Sequence, residues 1–101
     1  MSVLMTLRVP VERAAFEQAT KDHNEMFMSI AADAKTRGAI HHAFYVDGDD
    51  VVVVDEWDSA ESFQSFFADH EGDIGQLMQA AGAGQPGQPA FYEKLAVGDD
   101  Y

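Results

Sequence analysis

Residues 51–67, VVVVDEWDSAESFQSFF, constrain the fold of this chain more than any other stretch. Valine suits a pleated, packed surface, and a run apolar at every position predicts a strand covered on both faces. Asp58 or Ser59 then offers a helix N-cap, and Asp58 with Glu61 has capping-box spacing. Ala60, Phe63 and Phe67 recur at i, i+3, i+7 with Phe66 beside them, which makes one helical face strongly apolar. The stretch reads as strand, tight turn and helix, with Trp57 at the hinge.

The flanking chain supplies elements of matching size. Residues 2–9 alternate, with Val3, Met5, Leu7 and Val9 on one side, and Pro10 closes the strand. From 11 to about 37 the period becomes helical: Val11, Ala15, Ala19, Met26, Phe27, Ile30 and Ala34 form a stripe that ends at Gly38, and His23 falls within it. Residues 39–46 read as a second strand, joined to the valine strand by the Asp-Gly turn of 47–50. Residues 69–73 look like a polar break before a short helix carrying Ile74, Leu77, Met78 and Ala81. The Gly/Pro-rich stretch 83–89 is the one candidate lid, 90–97 a last strand, and 98–101 an acidic tail.

This order is α+β, a ferredoxin-like split βαβ plan with a four-stranded antiparallel sheet and helices on one face. The strands are apolar on both faces, through Leu4, Val52, Val54, Phe91, Leu95 and Val97 among others. A second copy of the sheet is the simplest cover for the bare face, so a homodimer is expected.

At 101 residues the chain makes one domain, 1–101, with a single modest core. Its 18 acidic residues against 6 basic give a net charge of −12. That charge repels phosphate backbones and anionic lipid, so neither nucleic acid nor membrane is an expected partner. Without cysteine there is no disulfide, thiolate nucleophile or thiolate metal site. The first residues lack the pattern of a signal peptide and no apolar run reaches membrane-spanning length, so a cytoplasmic protein is expected.

A strand ending in Glu-Trp, then a turn, then Ser-x-Glu-x-Phe opening a helix resembles the dimeric α/β-barrel superfamily. Asp55, Glu56, Trp57, Ser59, Glu61 and Phe63 carry the likeness. That superfamily includes the antibiotic-biosynthesis monooxygenase-like (ABM) domains. The resemblance implies a dimeric α/β barrel that binds a small hydrophobic or aromatic molecule, with cofactor-independent oxidation as one activity. A non-catalytic dimeric binding module is the alternative, and a haem- or metal-binding protein the third reading. The haem-degrading branch places Asn, Trp and His where this chain has Met5, Phe66 and Gly75, and only a displaced His70 stands near the ligand position. No cofactor is therefore implied. The quinone-forming branch uses Asn, Trp, Tyr and Arg. Trp57 and Tyr45 or Tyr92 answer to two of these, and the sole asparagine is Asn24.

Strand parity supplies the candidate site. His41 and His42 point to opposite faces. A two-residue turn at Gly48-Asp49 places His42 opposite Asp55, Phe44 opposite Val53 and Ile40 opposite Trp57; a turn shifted by one residue keeps the same faces. His42 and Asp55 are thus candidate catalytic residues, an oriented acid/base pair beside Trp57 on an apolar face. The structural alternative is a buried pair satisfying itself, or a contact between copies. His23, His70, Phe66 and Met5 are candidate pocket residues with Trp57, although core packing also accounts for Met5 and Phe66. No histidine spacing suggests a metal site.

Overall fold

The computed structural model describes residues 2–101. Strand β1 (Val3–Pro10) is followed by helices α1 (Arg13–Asp22) and α2 (Asn24–Thr36). The hairpin β2 (Ala39–Asp47) and β3 (Asp50–Trp57) comes next, then the long helix α3 (Ala60–Ala80) and the short strand β4 (Ala90–Glu93). The sheet is antiparallel throughout, in the order β2-β3-β1-β4, which is the ferredoxin-like arrangement.

The valine strand holds the centre, paired with β1 on one side and β2 on the other. The hairpin turns at Gly48-Asp49, and Gly48 carries the positive φ (59°) that the turn needs. His42 accordingly pairs with Asp55 and Phe44 with Val53. The expected Ile40–Trp57 pair does not form: a bulge between Ala39 and His41 puts Ala39 opposite Trp57 and leaves Ile40 unpaired and exposed.

The helices depart from expectation in two places. The single helix expected over 11–37 is two, broken at His23, whose ψ of 35° lies outside helical geometry. Asp22, His23 and Asn24 are poor helix formers in succession, so the break falls there. Conversely, the polar stretch 69–73 does not interrupt α3, which runs 21 residues. Phe63, Phe66, His70, Ile74, Leu77 and Ala81 keep helical spacing straight through it, and burial along that stripe outweighs the roughly 1 kcal/mol that each of Gly72 and Gly75 costs relative to alanine. Ser59, rather than Asp58, caps the helix by accepting from the Ser62 amide at 3.1 Å. Asp58 instead sits over Gly38, where φ is 117° and an added Cβ would lie 2.5 Å from its carboxylate.

The last strand is shorter than expected, and Leu95 and Val97 lie exposed beyond it. Residues 83–89 are not a free lid. Gly84 donates to the Pro10 carbonyl at 2.7 Å and Gly87 to that of Arg8 at 2.9 Å, so the loop runs along the edge of β1 where β4 has ended. All three helices share one sheet face. Two apolar clusters form between them and the sheet, one around Val9, Phe16 and Val51, the other around Met5, Trp57, Phe63 and Phe66. The opposite face carries Leu4, Val52, Val54, Tyr45 and Tyr92, of which Leu4, Tyr45 and Tyr92 are exposed.

Candidate functional site

Asp55 is the one buried charged residue among those described, with 5% of its surface exposed. Burying a carboxylate is costly unless its oxygens are paired, and here both are. His42 Nδ1 stands 2.6 Å from Oδ1, and Trp57 Nε1 donates to Oδ2 at 3.0 Å. Strand geometry creates this chain of three. Asp55 and Trp57 are two apart on β3 and share a face, and β2 sets His42 directly opposite. A carboxylate only accepts, so Nδ1 is the nitrogen that donates. The imidazole is held edge-on to Phe44, ring centres 4.7 Å apart. Trp57 is fixed in turn by Phe63 and Phe66 at 5.6 and 5.2 Å.

These groups border a cavity of about 680 Å³ between the sheet and the helices. That volume suits a small organic ligand. Its walls are apolar over most of their extent. Met5 and Phe66, both expected as pocket residues, line it beside Trp57, and so do His42 and Asp55. Polar groups gather toward one end, where the close of α2 meets the start of β2; there Lys35 joins them at the wall. Val9, Phe16, Phe27 and Val51 line the other end.

Two expected pocket residues lie elsewhere. His23 is exposed at the α1–α2 junction, where the helix breaks. His70 is in the α3 stripe but turns toward α2, where Nε2 lies 2.7 Å from Asp33 Oδ2 and the ring rests on Phe66 at 4.7 Å. Arg37 completes this latch, bonding Asp33 at 3.4 Å, Asp69 at 2.7 Å and Ser65 at 3.0 Å. The hydrogen bond from His70, with Arg37 in support, holds the Asp33 carboxyl below its ordinary 3.8 against the opposing effect of desolvation. Tyr45 and Tyr92 project from the far face of the sheet, away from the cavity. Among the described residues no group of three or more acidic or histidine side chains is placed to hold a metal ion.

Lys35 and Phe16 escaped the sequence reading. Lys35 lies seven residues after Met28, on the same line of α2, and both border the cavity. That heptad spacing is the signal that would have found it.

The fold is ferredoxin-like, and it is shared with dimeric ferredoxin-like proteins and antibiotic-biosynthesis monooxygenases of known structure. A dimeric ferredoxin-like protein from an uncultured marine organism matches with a TM-score of 0.68 at 16% identity, over 94% of this chain and 89% of that one. SnoaB, a cofactor-independent oxygenase from Streptomyces nogalater, matches with a TM-score of 0.63 at 15% identity, over 98% of both chains. A monooxygenase from Streptomyces coelicolor in complex with nanaomycin D matches at 0.64 and 15%, over 95% of this chain and 90% of that one. No protein-family model and no curated protein matches the sequence. No helix among the described residues is long and apolar enough to cross a membrane.

Proposed function

We propose that this chain is an ABM-like protein that takes a hydroxylated aromatic compound into its sheet–helix cavity, where His42, oriented by Asp55, accepts the hydroxyl proton. The observation that carries this reading is the Trp57–Asp55–His42 chain on the wall of an otherwise apolar cavity. A neutral imidazole with Nδ1 committed to a carboxylate presents Nε2 as a base. Loss of the proton makes the ring electron-rich, and molecular oxygen adds at the carbon para to the phenolate oxygen. The hydroperoxide formed there loses water to leave a quinone, so phenol and O₂ give quinone and H₂O with the substrate as sole reductant. The two fold relatives described as a cofactor-independent oxygenase and a monooxygenase support this direction. The residues differ from the asparagine–tyrosine–arginine set of the quinone-forming branch, and the histidine–aspartate pair takes the place of that machinery.

The protein acts as a homodimer in this reading. The far sheet face exposes Leu4, Tyr45 and Tyr92 around Val52 and Val54, and a second copy supplies a matching apolar surface. The fold relative described as dimeric supports the same arrangement.

A panel of hydroxynaphthalenes tests the function. A binder at 100 times its Kd should stabilise the protein by about 2.7 kcal/mol, and an oxygen electrode should register uptake with it. His42→Asn should abolish uptake while the protein stays folded. Binding without uptake would favour the non-catalytic binding module, and an unaffected His42→Asn variant would overturn the role of the pair.

A further inference from the structure

The polar groups of the cavity all stand at one end, and one of them is a cation without a partner. Of the six basic residues, Arg8, Arg13, Arg37 and Lys94 are engaged by carboxylates. Lys21 and Lys35 are in no ion pair among the described residues although acidic side chains outnumber basic ones threefold, and of these two it is Lys35 that borders the cavity. Lys35 is exposed and stands on the side of the cavity where His42 and Asp55 stand. From there the wall runs through Trp57 and Met5 to the apolar end at Val9 and Phe16.

We infer that the ligand of this cavity is an amphiphilic carboxylic acid, with an aromatic body against the apolar end and its carboxylate at the Lys35 rim. This rests on the reading of the cavity as a ligand site and narrows its substrate class. The apolar walls account for uptake of the body, since each square ångström removed from water contributes about 25 cal/mol. They do not orient it. A charge at one end does, because the carboxylate would lose its hydration at any other position in the cavity. Held at Lys35, the acid leaves the adjoining part of the ligand beside His42, where the hydroxyl of the proposed reaction would meet Nε2. An ammonium is a compact point charge on a flexible stem, so it can follow ligands of different length while the His42 contact stays fixed.

The test compares 2-naphthoate with 2-naphthamide, which share shape and differ in charge. Binding to the full-length protein is measured by calorimetry. Since charge-assisted hydrogen bonds are roughly twice as strong as neutral ones, naphthoate should bind about tenfold tighter. Lys35→Gln should remove that preference by weakening naphthoate alone, and Lys35→Arg should restore it. Equal affinity of the two compounds for the unmodified protein, or a Lys35→Gln variant that weakens both alike, overturns the inference and leaves the cavity as a site for neutral ligands. Binding of neither overturns the cavity as a site for aromatic ligands, and this inference with it.

Discussion

Asp55 sits where a central strand would ordinarily carry another valine, and its two neighbours determine what that substitution of charge for methyl groups costs. Trp57 contributes a buried N–H that has no other acceptor, and His42 contributes the short contact at 2.6 Å. Asp55→Ala should therefore destabilise the fold by about 1–3 kcal/mol, the penalty for a buried donor left unsatisfied, and a denaturation midpoint reads it. His42→Ala should cost less, because 41% of that side chain is exposed and Asp55 keeps its bond to Trp57. If the two substitutions cost the same, the pair is structural and the histidine has no separate task. Parity made this cluster legible in the sequence, since a strand leaves only two faces to choose between. The indole-to-carboxylate bond was not legible, because side-chain direction along one strand is settled by what packs behind it, here Phe63 and Phe66.

Helix α3 is the element on which the cavity depends. Phe63 contacts Trp57, Phe67 and Phe91, with ring centres 5.6 to 5.7 Å apart, and so joins the helix to both β3 and β4. Phe63→Ala should destabilise by roughly 3–5 kcal/mol in chemical denaturation, as for other buried aromatics. The latch between α2 and α3 makes a prediction of different form. Asp33 has its pKa lowered in the folded protein, so its bonds stabilise the fold above the ordinary 3.8 and are lost as pH falls through the lower folded value. Asp33→Asn should thus be less stable than the unmodified protein near neutrality, and the two melting curves should converge in acid below that value. The sequence reading divided α3 at 69–73 because charged residues and glycine cluster there. It missed that His70 carries the buried stripe across the gap by finding a carboxylate on the neighbouring helix. The break at His23 was hidden for the opposite reason: apolar residues on both sides kept near-helical spacing, and only the weak helix formers between them marked the junction.

For the molecule as a whole, the unbroken valine run of β3, with Leu4 on the second side of β1, already announced two apolar sheet faces, and the topology followed from element order alone. The bulge did not, since nothing local in Ala39-Ile40-His41 marks it. If the far face is shared between copies, light scattering should give twice the 11.1 kDa chain mass, and Val54→Lys should return that value to the monomer without unfolding the protein. Two chains of net charge −12 repel each other, so the assembly should also tighten as salt rises over the range in which the screening length drops below about 10 Å. Strand β2 is one of the two edges of the sheet, nine residues with aromatic and aliphatic side chains and neither proline nor lysine. Such a margin is a template for runaway strand addition between molecules. The bulge at Ile40 spoils its straightness beside the cavity wall. Losing that one residue would leave every flanking pair in register, yet it would straighten the strand into a surface on which other chains can polymerise.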